Sequence, residues 1–326
     1  MAPCDLVHGQ APDQANGVAV SRVEKPGVDG ASLGDFVVAK GSEADMKEIA
    51  KTTGVDFNPI AAPPAGSIKE IKRLRIGLYQ RYYGGNVDEG WTRWLLEDFG
   101  FNAVNVFDPE IKKGDLNAKF DVIIFPDDST TMITGEATPA AAGARGGGGE
   151  FGRNPLEFPP EYRSGMGEDG VTAMKAFITK GGTVVTLGTA SNFAMEKLGV
   201  RARNILAGKA TKEFWCPGST LKVTVDTTNP LGYGMPANTY ALYLQGDPVF
   251  EITPSSSNER YSVIASYEKR DILQSGWLVG EGNITGKAAM ISAEMGKGKV
   301  ILVGFRTQHR AQTYGTFKLL FNSLVD

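Results

Sequence analysis

The stretch Thr183-Val184-Val185-Thr186-Leu187-Gly188-Thr189-Ala190-Ser191 decides how the chain is read. Its first five residues are rich in β-branched side chains and read as a buried strand. Gly188 to Ser191 reads as a tight turn, and Asn192 to Leu198 as the helix that the turn feeds. Upstream, Glu168 to Lys180 reads as a helix ended by Gly181-Gly182. Leu74 to Tyr79, Ala103 to Phe107 and Asp121 to Pro126 read as further strands, the last continuous enough to be central in a parallel sheet. Between the first two of these, Asn86 caps a helix that runs to about Phe99, with Asp88 and Glu89 in its first turn. Trp91, Trp94, Leu95 and Phe99 form its expected apolar stripe. This alternation of strands and helices implies an α/β fold, a doubly wound, mainly parallel sheet with helices on both faces.

Outward from this framework the character changes. Residues 1–33 lack hydrophobic period and read as a flexible lead-in. Residues 34–70 read as a short α/β segment, with a strand at Asp35 to Ala39, a helix at Glu43 to Thr52 and a linker at 61–67. The main domain is expected over 71–326. Within it, residues of about 135–165 read as a flexible Gly-rich loop. The glycines from Gly143 to Gly149 are no P-loop, because no Gly-Lys-Ser/Thr follows. Residues of about 200–285 read as a β-rich insertion, with strands at Leu221 to Val225, Tyr240 to Leu244, Tyr261 to Ser266 and Trp277 to Val279. Ala288 to Glu294 and Lys299 to Phe305 read as two strands joined by a hairpin turn, and Ala311 to Leu324 as a final helix.

Composition excludes several functions. The chain has 326 residues, 34 Lys+Arg against 37 Asp+Glu, and a net charge of −3. Such a balance offers no basis for wrapping nucleic acid. No apolar run is long enough for a membrane span, and the N-terminus does not read as a signal peptide. There are two Cys, Cys4 and Cys216, and two His, His8 and His309. A catalytic zinc site needs about three protein ligands, usually with two His close in space. No His-x-x-Glu or His-Glu-x-x-His occurs, so no metal and no cofactor is expected.

The candidate site residues follow from strand ends. In doubly wound folds ligands bind outside the carboxyl ends of the strands. Asp127 and Asp128 follow one strand, and Arg306, His309 and Arg310 follow another, so these five line a candidate ligand-binding pocket. Capping, turn formation and loop anchoring explain the same residues without a ligand. The turn after Leu187 has the strand–turn–helix context of a nucleophile elbow. It carries no Cys, which leaves Ser191 or Thr189 as a candidate nucleophile with His309 as the base.

The stretches RIGLYQRYYGGNVDEGWTRWLLEDFGF, DLNAKFDVIIFPD, FITKGGTVVTLGTASNFAMEKLG and GKGKVILVGFRTQHRAQTYGTFKLLFNSL together resemble a known family. They are similar to the class I glutamine amidotransferase-like domain, in the version found C-terminal to the catalytic domain of secreted bacterial zinc carboxypeptidases of the M14 family. The resemblance spans about residues 34–326 and implies a flavodoxin-like fold. It also implies a peptidase domain, in cis or in trans, as partner, peptide as the substrate class, and an extracellular or periplasmic setting. Amidotransferases of this class carry a Cys at the elbow, where this chain has Gly188 to Ser191. Their His is followed by an acid, whereas here Gln308-His309 is not, and the M14 zinc motif is missing. The expectation is therefore a non-catalytic accessory domain. The alternatives are a hydrolase using Ser191 or Thr189 with His309, or a peptide- or carbohydrate-binding module.

Overall fold

The apolar runs set the order in which the chain builds its sheet. The computed structural model describes residues 20–25, 31–38, 43–60, 68–82, 85–136, 159, 162, 165–253 and 259–325. Strands β1 (Val20–Val23) and β2 (Phe36–Val38), helix α1 (Glu43–Thr53) and strand β3 (Ile68–Glu70) come first. The alternating part comprises β4 (Ile76–Tyr79), α2 (Val87–Asp98), β5 (Ala103–Val106), α3 (Asp108–Lys113), β6 (Val122–Phe125), α4 (Thr130–Thr134), α5 (Gly167–Thr179), β7 (Thr183–Leu187) and α6 (Ala190–Phe193). Seven short or antiparallel strands follow: β8 (Ala202–Asn204), β9 (Gly218–Val225), β10 (Asn238–Leu244), β11 (Phe250–Ile252), β12 (Arg260–Tyr267), β13 (Leu273–Ser275) and β14 (Ala288–Met295). Strand β15 (Gly298–Val303) and helix α7 (Tyr314–Asn322) close the chain.

Strands β5, β4, β6, β7 and β15 lie side by side and parallel, in that order. Numbered along the chain, this is the 2-1-3-4-5 arrangement of a flavodoxin-like doubly wound sheet. Every residue of β4, β6 and β7 is buried, which explains their continuous apolar character. Successive side chains alternate between two cores. Ile124 and Val185 pack with Leu95, Leu96 and Phe99 of α2 and Phe317 and Leu320 of α7. Ile123, Phe125 and Val184 pack on the opposite face with Ile111 of α3, Met174 and Phe177 of α5 and Phe193 of α6.

Several expectations change in detail. The β-rich stretch extends the central sheet: β14 pairs antiparallel with β15, and β12, β9 and β10 continue the same sheet beyond it. Trp277 to Val279 is not a strand but a single antiparallel bridge, Trp215 to Val279, and the nearby strand is β13. The final helix starts at Tyr314, because Arg310 and Ala311 adopt left-handed backbone angles that a helix cannot contain. Residues 1–33 are not uniformly lead-in. Val20–Val23 is the central strand of a three-stranded sheet, β2-β1-β3. Arg22 of β1 lies over the Tyr233 ring, 5.4 Å from its centroid, and ties this small sheet to the main body. Residues 1–19, the linker at 61–67 and most of the loop at 135–165 lie outside the described residues.

The stripe expected on α2 is also rotated. Its buried residues are Glu89, Thr92, Leu95 and Leu96, whereas Trp91 is 37% and Trp94 48% exposed. The inward face is polar at its N-terminal end because it meets the polar cluster described next. Among the described residues, no helix is long and apolar enough to cross a membrane.

Candidate functional site

The site forms where β4, β6, β7 and β15 end, and its centre is Gly188. This residue follows β7 with φ +55, a conformation that glycine adopts freely and other residues do not. A Cβ placed on it would lie 2.4 Å from Asp127 Oδ1 and 3.0 Å from Asp247 Oδ1. The space that a side chain at the elbow would occupy is thus filled by carboxylate.

Asp127 is held there on all sides. The backbone N–H and the hydroxyl of Thr189 both donate to its Oδ1, each at 2.7 Å. Arg306 Nη1 pairs with its Oδ2 at 2.7 Å. Its own N–H donates to Asp88 Oδ2 at 2.8 Å. Arg306 leaves the end of β15 with its N–H bonded to the Leu242 carbonyl, so its guanidinium faces the elbow. Its Nε lies 3.1 Å from Asp247 Oδ1, and its Nη1 lies 3.9 Å from Asp88 Oδ1. Gln308 completes the cluster by donating to Asp88 Oδ1 at 2.9 Å and to Thr92 Oγ1 at 2.8 Å. Beside it, Arg81 Nε pairs with Asp128 Oδ2 at 2.5 Å, and Asn86 Nδ2 donates to the Asp127 carbonyl at 3.2 Å.

One guanidinium, 12% exposed, therefore serves three carboxylates, and ionisation responds. Burial pushes Asp247 up to about 7, with Arg306 opposing and Asp127 adding to the rise. Burial also raises Asp88, against the pull of Arg306, and Asp128, against the pull of Arg81. Asp247 Oδ1 has Arg306 at ion-pair distance but no aligned hydrogen bond among the described residues. Gln308 Oε1 and Thr307 Oγ1 are likewise buried without a hydrogen-bond partner among the described residues. Among the described residues, no group of three or more His, Cys, Asp or Glu is arranged to hold a metal ion.

Asp127, Asp128 and Arg306 lie together at the strand ends, and the elbow residue Thr189 bonds to Asp127 there. The other candidates do not join them. Ser191 is fully buried, and its hydroxyl bonds to Thr186 Oγ1 and to the carbonyls of Thr186 and Val303 inside the sheet. Thr189 commits its hydroxyl to Asp127 and the Asp128 carbonyl. His309 and Arg310 sit on a turn beside α2, and among the described residues neither side chain makes a hydrogen bond or ion pair. Burial, with Arg310 and Arg306 nearby, lowers His309. Cys216 is buried, and burial raises its thiol, as for a structural cysteine. Sequence reasoning misses Asp247 and Arg81, and it accounts for Asp88 as a helix-start residue. The available signal for Asp247 is a Gly-Asp-Pro turn directly after a strand, at residues 246–248.

No protein-family model matches the chain, and no curated protein is similar to it. Among solved structures, it is similar to a putative GMP synthase protein from Thermoplasma acidophilum, at 12% identity and a TM-score of 0.43, over 77% of this chain and 92% of that one. PurLQS from Thermotoga maritima is 14% identical with a TM-score of 0.48, over 78% and 98% of the two chains. A putative ThuA-like protein from Bacteroides uniformis is 15% identical with a TM-score of 0.37, over 82% and 92%. The likeness concerns outline alone, and the fold class stands on the strand order.

Proposed function

We propose that this chain is a non-catalytic accessory domain that docks on a partner protein. The observation that carries the reading is the Asp127 carboxylate in the place of an elbow side chain, 2.4 Å from where a Gly188 Cβ would lie. An elbow works in acyl transfer by exposing a nucleophile and by offering backbone N–H groups to an oxyanion. Here the N–H of Thr189, the residue after the elbow position, is already bonded to Asp127. An internal carboxylate occupies the anion position, which supports a closed site rather than a reacting one.

The partner surface in this reading is the outer face of α2. Val87, Trp91 and Trp94 are exposed on consecutive turns, and the two indoles meet edge to face at 6.0 Å. Exposed tryptophans of this kind are typical anchors in protein interfaces. The partner class comes from the sequence resemblance and is an M14-type zinc carboxypeptidase domain, acting on peptide in an extracellular or periplasmic setting. The test is titration of the full chain against such a catalytic domain, with Trp91→Ala/Trp94→Ala as the comparison. Binding that the double substitution abolishes supports the reading. Unchanged binding by the variant, or no binding by either, overturns it.

A further inference from the structure

A cleft of about 210 Å³ lies beside the elbow, between the segment 204–214 and the turn that follows β10. Phe214 and Tyr243 line it, with rings edge to face at 5.8 Å, together with Leu206. Asn204, Lys209 and Gln245 supply its polar lining, and Asp247 closes one side. We propose that this cleft binds a small organic monoanion: a carboxylate on a compact apolar body of about ten non-hydrogen atoms, smaller than the ligands of typical drug-sized sites.

The walls are preformed. Ile205 N–H donates to the Val249 carbonyl at 3.0 Å, and Asn204 Oδ1 accepts from Leu206 N–H at 3.0 Å and Val249 N–H at 3.3 Å. These bonds lock the two segments together, so a ligand need not organise them. They also consume the acceptor of Asn204. The Gln245 side chain is oriented likewise, because its Oε1 accepts from Cys216 N–H at 3.0 Å. Its amide NH₂, with two donors, has no partner among the described residues. Lys209 is exposed and makes no ion pair among the described residues. The opposite polarity is spent elsewhere. Asp247 turns its carboxylate inward to Arg306 and Leu244 N–H, and Tyr243 spends its hydroxyl proton on the Asp247 carbonyl at 2.5 Å. The cleft thus has an apolar, ring-lined wall and a donor-rich, cationic rim, which matches a carboxylate attached to an apolar group.

Asp247 makes the binding sensitive to proton concentration. An anion in the cleft favours the neutral form of this carboxyl, whose charged neighbours are Arg306 after β15 and Asp127 after β6, with Asp88 on α2 joined to it through Arg306. The titratable groups Tyr243 on β10, Tyr267 on β12 and Cys216 before β9 also face it, and burial raises all three. Binding therefore takes up protons near neutral pH and weakens as pH rises through about 7.

The experiment is calorimetric titration of the full chain with phenylacetate and, as an uncharged match in size, phenylacetamide. Phenylacetate is expected to bind with a Kd on the order of 1 mM, and the amide about tenfold more weakly. Lys209→Met and Gln245→Glu are expected to weaken phenylacetate about tenfold each while leaving Tm in place, since both side chains are exposed. Gln245→Glu keeps the acceptor for Cys216 N–H and replaces the donor end by a charge that repels the ligand's carboxylate. Equal binding of acid and amide overturns the proposal. Insensitivity to both substitutions overturns it, as does the lack of saturable binding up to roughly 20 mM.

Discussion

Asp247→Asn should change the sign of a familiar penalty. In the folded chain Asp247 ionises near about 7, because burial outweighs the attraction of Arg306. An unfolded aspartate ionises near ~3.9, and the gap corresponds to roughly 4 kcal/mol as an upper bound. Between those values the folded state keeps a proton that the unfolded state has released. Stability therefore falls as pH rises from about 4 to about 7, and this contribution is flat above that. Asparagine has the shape of the protonated acid and removes the titration. Arg306 keeps Asp127 at 2.7 Å and Asp88 at 3.9 Å. If asparagine matches the protonated acid, the variant should already be ahead by about 1.5 kcal/mol at pH 5, and its advantage should grow by a further ~1.5–3 kcal/mol at pH 8. Urea unfolding at both pH values measures this. The slopes contributed by Asp88, Asp128, Asp108 and Glu89, all raised by burial, are common to both proteins and largely cancel in the difference. A difference that does not move between pH 5 and pH 8, or a variant less stable at pH 8, refutes the reasoning.

Other outcomes follow from the same cluster. Arg306→Met leaves the buried Asp247 and the partly buried Asp127 and Asp88 without their shared cation and should cost about 3 kcal/mol in urea unfolding. Adding Asp247→Asn to it should recover part of that loss, and a loss under about 1 kcal/mol would show that the guanidinium is not the centre of the site. Gly188→Ala forces a Cβ onto Asp127 Oδ1 at positive φ and should lower stability by about 2–3 kcal/mol. Asp127→Ala in that background should relieve the collision but not the backbone strain, so partial rescue in thermal unfolding is the expected result. Trp91→Ala and Trp94→Ala, on an exposed face, should leave stability within about 1 kcal/mol of wild type, and a larger loss would place the indoles in the core.

The sheet was legible because its inner strands are buried on both faces. Val122 to Phe125 and Thr183 to Leu187 carry no alternation, and short β-branched runs of this kind between turn signals fit a central parallel strand. The three-residue strands β8, β11 and β13 have no periodicity to display. Helices α3 and α4, of 6 and 5 residues, are too short for a helical pattern. Strand β1 was hidden because the partners that make it central lie up to residue 70. The rotation of α2 has a different cause. Tryptophans on a helix suggest a core, but Thr92 must reach Gln308, and that turns the polar side inward. For the site, the strand-end rule places Asp127, Asp128 and Arg306 at the same end of the sheet, where the structure has them in one cluster. It could not find Asp247, whose link to Arg306 spans 59 residues and comes from the antiparallel extension of the sheet.

The most direct test of the filled elbow is turnover by the purified full chain on glutamine and on an activated ester, beside His309→Gln, Thr189→Val and Ser191→Ala. The account predicts rates at the uncatalysed background for all four proteins on both substrates. Turnover above background that disappears with any of these three substitutions would contradict it, because the elbow would then be open to substrate and Asp127 would not be its occupant.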